Sequence, residues 1–558
     1  MLDFARNKEF WERVRTSDDF AIHRQELNTI YEKSFGKSAP RPHSAEEILN
    51  NNDNGLWRMQ FDHLQSSAIL SLIYPENEQY YNDLINTVWA YCNEYTWAPL
   101  GHYNSYYGRT PADYDPGLID IFAASVAFGL AEIKNLFQDR FPQLLKDRIH
   151  AEIKRRTIDP YLSRKFFWEN HGNNWTAVCS GGVGSAMMYE FPEIYLKERE
   201  RLDASMQNYL DSFADDGVCV EGTGYWAFGF GFFVNYAALQ KELTKGEFDW
   251  FKNENVKSIA TFMQKMYLDR DVIVSFSDCS MYQHMPLGLV HMLKSIYPND
   301  IECLPYIYGH MEDNTHFNFL LRSYIYYNPE YMADSILSNV EYNMENSAIF
   351  VKRTPYYGFA AKGGNNGESH NHIDVGNFII SRNNKQIICD LGAGPYEKGY
   401  HDKLRYTFFH PSAYSHNLPI FDGIGEDGIR RENVYIDHDK SSSTIKMDIK
   451  NGYGIDFLNR LPRKFTFLEN EIILEDSYEL TRDAEIKERF ITLSKPVING
   501  DTTFIEDVAL YADGLVPVIS VKEIRHHNDS STPLDCYILD YILPKGQRNF
   551  KISFKMPK

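Results

Sequence analysis

Phe378-Ile379-Ile380-Ser381-Arg382-Asn383-Asn384-Lys385-Gln386-Ile387-Ile388-Cys389 reads as two apolar runs joined by a polar turn, the pattern of a β-hairpin. The same pattern recurs at Lys464 to Leu468, Glu469-Asn470 and Glu471 to Leu474, and it continues through Tyr537 to Leu543 and Phe550 to Phe554. Working back toward the N-terminus, the period changes at about 345. Leu64, Ala68, Ser71 and Leu72, then Tyr81, Ile85, Val88 and Cys92, then Ile119, Phe122, Ala123 and Val126 stand three or four residues apart, as on one helix face. Further helical patterns fall near 141–156, 203–214, 230–243, 255–267 and 285–297, without a literal repeat. The expected fold class is α+β multidomain, with stacked helical hairpins over 1–340 followed by an antiparallel β-sandwich over 341–558.

Composition narrows the function classes. The 558 residues carry 57 Lys+Arg against 77 Asp+Glu, a formal charge of −20, which argues against a nucleic acid held by phosphate neutralisation. With 43% hydrophobic and 24% charged residues and no uninterrupted apolar run of membrane-spanning length, the chain reads as an ordinary globular protein with no membrane partner. The opening MLDFARNKEFWERVRTSDDF has no apolar core and no small-residue cleavage site, so the cytoplasm is the default location. The seven cysteines are scattered without a CxxC pair, which fits reduced core thiols. Self-association into a homo-oligomer is left open. Aromatics make up 15% of the chain, and all eight Trp lie before residue 251. They either fill spaces between large helices or line a groove in which their faces stack on sugar rings.

Three segments concentrate chemistry. The densest is Gly363-Gly364-Asn365-Asn366-Gly367-Glu368-Ser369-His370-Asn371-His372-Ile373-Asp374-Val375-Gly376-Asn377-Phe378. If it enters the strand at Phe378, His370, His372 and Asp374 face one side, as a metal site or an acid/base site. Asp390 closes the hairpin that His372 precedes, and His416 follows in Ser415-His416-Asn417; His and carboxylate ligands suit Zn²⁺. In the helical half, Phe167-Trp168-Glu169-Asn170-His171-Gly172-Asn173-Asn174-Trp175 precedes the small-residue run Ser180 to Ala186, where something is expected to approach the helix closely. The third segment, Asp215-Asp216-Gly217 to Glu221-Gly222-Thr223-Gly224-Tyr225-Trp226, presents a tyrosine before an aromatic-rich helix.

Together, the Asn-His loop, the Asp-Gly…Glu-Gly…Tyr segment, His-x-His-x-Asp-x-Gly-x-Phe, Asp-x-Gly and the later His-Asn resemble, in this order, the heparinase II/III-like polysaccharide lyases. The resemblance implies an (α/α) toroid of paired helices, a β-sandwich and an active site in the cleft between them. It implies cleavage of a uronate-containing polysaccharide or oligosaccharide, glycosaminoglycan-like, by β-elimination to a 4,5-unsaturated uronate end. Carried over, Asn170 and His171 neutralise the uronate carboxylate, Tyr225 acts at the scissile oxygen, and His370 and Tyr396 complete the catalytic set. Zinc, in members that hold it, falls on His372, Asp390 and His416.

Those residue types suit the reaction. The C5 proton becomes removable only when the carboxylate charge is masked, while a base takes the proton and an acid protonates O4. The base is one of His171, His370 and Tyr225. Trp97, His102, Asn174, Trp175, Trp226 and Arg405 are the candidate substrate-binding residues. Some relatives carry an arginine one helical turn after the tyrosine, where this chain has Gly229; together with the charge of −20 this favours a lightly charged or short substrate over a densely sulfated polymer. Two other classes are an inverting glycoside hydrolase using Asp216, Glu221 or Asp278, and a non-catalytic glycan-binding protein.

Overall fold

The computed structural model describes residues 3–50, 55–110, 113, 115, 117–303, 309–310, 316–331, 338–367, 371–400 and 403–558. The chain divides into two compact units. One comprises Met1–Ser212, Trp226–Lys257 and Met285–Ala333; the other comprises Phe213–Tyr225, Ser258–His284 and Asp334–Lys558.

The first unit is built from helices that pair with their neighbours in sequence, among them Leu56–Ile73 with Glu78–Cys92 and Asn174–Glu190 with Pro192–Leu210. Asn174–Glu190 also packs along Ile121–Leu136. Its glycines are what permit this: a Cβ on Gly182 would stand 2.6 Å from the Ala124 carbonyl oxygen, and one on Gly184 would stand 2.6 Å from the Tyr236 ring. The small-residue run therefore serves helix-to-helix approach. Asp120 starts Ile121–Leu136 by accepting from the Ala123 amide at 2.8 Å, leaving its second carboxylate oxygen for another partner.

The second unit is antiparallel. A five-stranded meander runs Val340–Met344, Ile349–Arg353, Gly358–Lys362, Phe378–Arg382 and Lys385–Ile388, beside an eight-stranded and a four-stranded sheet. The hairpin forms as its sequence dictates. Arg382 pairs with Lys385, and Asn383 and Asn384 take φ of 50° and 61°, the left-handed pair that a two-residue turn of right-twisted strands requires and that Asn tolerates. Pro462–Phe467 and Glu471–Ser477 form the second expected hairpin. Phe378 sits at the centre of the apolar core, its ring within 6.2 Å of those of Phe359, Phe465, Phe490 and Phe554.

Helical periodicity over 255–267 overstates the helix there. The stretch holds two short helices, Glu254–Ala260 and Phe262–Met266, and then turns into the strands Tyr267–Asp269 and Val272–Ile273. Arg353 fastens that turn, donating to the carbonyls of Gln264 and Tyr267. All seven cysteines are free. Among the described residues no helix is long and apolar enough to cross a membrane.

Candidate active site and metal centre

In the helical unit, the loop before Asn174–Glu190 is held from beneath. Trp168 is buried and donates to the Ile119 carbonyl at 3.0 Å, Thr176 Oγ1 donates to the Trp168 carbonyl at 2.7 Å, and the buried Glu169 carboxylate accepts from Arg201 at 2.7 and 2.9 Å. Gly172 turns with φ of 66°, a conformation costly for other residues. On this support Asn170 and His171 are exposed. Beside them lies an aromatic group: Trp175, largely buried, has the rings of Tyr106 at 4.4 Å, His102 at 5.2 Å and Phe167 at 5.5 Å. Phe167 is in edge contact with His171 at 5.8 Å. His102 Nδ1 lies 2.6 Å from Oδ2 of the buried Asp120, which fixes the ring's orientation. Tyr106 and Phe167, both partly exposed, carried no motif that would have singled them out.

In the sheet unit, Tyr225 and Tyr396 each shift the titration of the other's phenol. Burial pushes Tyr225 up to about 12, with Tyr396 opposing and the Asp278 charge adding to the shift, so Tyr225 keeps its proton at neutral pH. Tyr396 is raised as well, by burial first and then by Tyr225 and Asp278. Its ring stacks on His527 at 3.7 Å and neighbours Tyr400 at 4.9 Å. Arg405 is buried and engaged by Asp278 at 2.9 Å and by the Asn371 carbonyl at 3.1 Å.

His372, Asp390 and His416 come together, all fully buried, with ligating atoms within 4.8 Å of one another. The donor set fits a metal ion. Among the described residues, Nδ1 of His372 and Nε2 of His416 are buried nitrogens without a hydrogen-bond partner, a costly state unless something binds them. His416 Nδ1 lies 3.2 Å from an Asp390 oxygen. Burial lowers His372, keeping it neutral as a ligand must be. Around the three, Asn377 donates to Asp390 at 2.7 Å and the Gly392 amide does so at 2.8 Å. Asn377 Oδ1 in turn accepts both nitrogens of Asn417 at 3.0 Å.

Several sequence expectations are corrected. Residues 371–377 are not strand, and the alternation placing His372 with Asp374 fails: Asp374 pairs with Lys362 at 2.7 Å, and Asn371 is bonded to the same lysine. A turn at Gly376, φ 91°, breaks the expected alternation. His370 lies outside the described residues. Trp97 and Trp226 are core residues, 1% and 0% exposed, with Trp97 donating to the Tyr91 carbonyl, so neither offers a face to a sugar. Asn174 is half-buried at its helix start. A Cβ on Gly229 would stand 2.9 Å from both Asn174 Cβ and Tyr209 Oη, leaving no space for the arginine some relatives place there. Of the hydrolase carboxylates, Asp216 is held by the Ser347 amide and hydroxyl at 2.9 and 2.8 Å, Glu221 is buried, and Asp278 is bound by three donors.

Comparison with solved structures assigns the fold. A heparinase III structure superposes with a TM-score of 0.63 at 13% identity, covering 92% of this chain and 78% of that one. The heparan sulfate lyase HepC of Pedobacter heparinus gives 0.60 at 11%, covering 97% and 89%. The chondroitin AC lyase of Streptomyces coelicolor, in complex with chondroitin sulphate, gives 0.57 at 9%, covering 99% and 82%. No family model matches the chain, and no curated protein matches it. The chain has the fold of these polysaccharide lyases, as its motifs led one to expect.

Proposed function

We propose that the protein is a lyase that cleaves a uronate-containing polysaccharide or oligosaccharide by β-elimination. The observation that carries this reading is the half-buried Tyr225 phenol, set against Tyr396 and held protonated, on a chain with the polysaccharide lyase fold. A protonated phenol is equipped to give its proton to the departing O4. Asn170 and the exposed His171 supply the donors that mask the carboxylate, so that negative charge can build on it once C5 loses its proton. With Tyr225 as the acid, the base is a histidine, His171 or His370. Trp175, His102 and the neighbouring Tyr106 and Phe167 form the sugar-binding wall.

His372, Asp390 and His416 would hold a zinc ion, which when bound supplies fixed positive charge and ties together the segments bearing its ligands. Gly229 leaves no space for an arginine, and Arg405 is engaged by Asp278, so the reading favours a lightly charged or short substrate. Ultraviolet absorbance of a conjugated product, followed over hyaluronan, chondroitin, heparan, heparin, alginate and gellan-type substrates and their short oligomers, tests the reaction class. Absorbance is expected to rise with one class of weakly sulfated or unsulfated substrate, and Tyr225→Phe is expected to lower the rate about 10²- to 10⁴-fold. New reducing ends without absorbance would replace this reading by hydrolysis.

A further inference from the structure

The Asp278 carboxylate is fully buried, and one of its oxygens meets three donors from different parts of the sheet unit. His372 Nε2 lies 3.1 Å from Oδ1, the Tyr400 hydroxyl donates to it at 2.9 Å, and an Arg405 nitrogen stands at 2.9 Å. A buried carboxylate is expensive, and here Arg405 offsets its charge. The bond to His372 has a further consequence. With Nε2 carrying the proton toward Asp278, the lone pair of the neutral ring is on Nδ1, the buried nitrogen that lacks a partner among the described residues. That is the arrangement in which a carboxylate sets the tautomer and direction of a metal-binding imidazole. The same oxygen fixes Tyr400, whose ring lies 4.9 Å from that of Tyr396, and Arg405, which also grips the carbonyl of Asn371, the residue before His372.

We infer that Asp278 is a positioning residue, which presents Nδ1 of His372 to a divalent metal ion and locks Arg405 and Tyr400 in register with the Tyr225–Tyr396 pair. The inference rests on the zinc assignment made above. It gives a role to a carboxylate that sequence reasoning could place only as a hydrolytic acid or base.

Zinc affinity, read by competition of zinc salt against a chromophoric chelator, tests it on wild type, Asp278→Asn and Tyr400→Phe. Asp278→Asn is expected to weaken zinc binding about 10- to 100-fold. Tyr400→Phe keeps the His372–Asp278 bond and is expected to stay within about threefold of wild type. Wild-type affinity in Asp278→Asn would overturn the inference while leaving the metal site intact. A wild-type chain that takes up no zinc would overturn the metal assignment and the inference with it, and the wild-type titration separates the two. Should Asp278→Asn fail to fold, long-range ¹H–¹⁵N spectra of the unaltered zinc-loaded protein, with His372→Gln to assign the ring, decide the question. Protonated Nε2 with metal-shifted Nδ1 is expected, and the reverse pattern would overturn the inference.

Discussion

Asn417 gives the sharpest test of how the metal centre is built. Its side chain is fully buried beside the Phe378 and Cys389 carbonyls and the Ile491 amide. Nδ2 donates to the Phe378 carbonyl at 2.7 Å, the Cys389 carbonyl at 3.0 Å and Asn377 Oδ1 at 3.0 Å, and Oδ1 accepts from the Ile491 amide at 2.8 Å. Asn417→Ala leaves Asn377 Oδ1 with the Asn417 amide, but it strips a partner from two carbonyls and one amide, all buried. At about 1 kcal/mol or more for each such group, plus a small cavity term, the loss is about 3–5 kcal/mol. Asn417→Leu fills the same volume without the hydrogen bonds, so it is expected to be no better than alanine. Urea unfolding followed by far-ultraviolet circular dichroism measures both, and zinc uptake is expected to fall with stability because Asn417 adjoins His416 and steadies Asn377 against Asp390. A loss under about 1 kcal/mol, or recovery by leucine, would refute the assignment of the stability to these bonds.

Gly229→Arg, restoring the residue some relatives carry, is expected to cost about 1–3 kcal/mol in thermal unfolding and to gain no activity on sulfated polymers, because its Cβ meets Asn174 and Tyr209 at 2.9 Å. Asp120→Asn keeps an oxygen for the Ala123 amide and so turns its NH₂ toward His102; the His102 proton is expected to move from Nδ1 to Nε2 in ¹⁵N spectra, with KM rising more than kcat falls. Burial raises Tyr103, Tyr225 and Tyr541 to about 12, so the folded state keeps protons that the unfolded chain sheds near 10. Their stabilisation is therefore intact below pH 10 and lost as pH rises to 12, up to about 3 kcal/mol for each; a urea midpoint unchanged between pH 9 and 11 would contradict this.

Much of the lyase reading was legible because it is carried by local patterns. The Asn383-Asn384 turn, the helix periods before 255 and the Asn-His, Asp-x-Gly and His-Asn segments each lie within a dozen or so residues, where backbone geometry alone relates side chain to side chain. The same local logic failed at 371–377, because the turn at Gly376 and the pull of Lys362 on Asn371 and Asp374 override the strand alternation assumed there. It also credited Trp97 and Trp226 with faces that the helical core has consumed.

The sequence by itself determined that a helical half is followed by an antiparallel one, which hairpins form and which residue types can mask a carboxylate, shuttle a proton or bind a metal, since these follow from periodicity and functional-group chemistry. Only the tertiary structure decided their partners. Asp278 reaches His372 across 94 residues, Asn417 reaches Ile491 across 74, and Gly229 is closed off by Tyr209 on another helix. Such pairings are set by the path of the whole chain and the packing of its core, which no local spacing encodes.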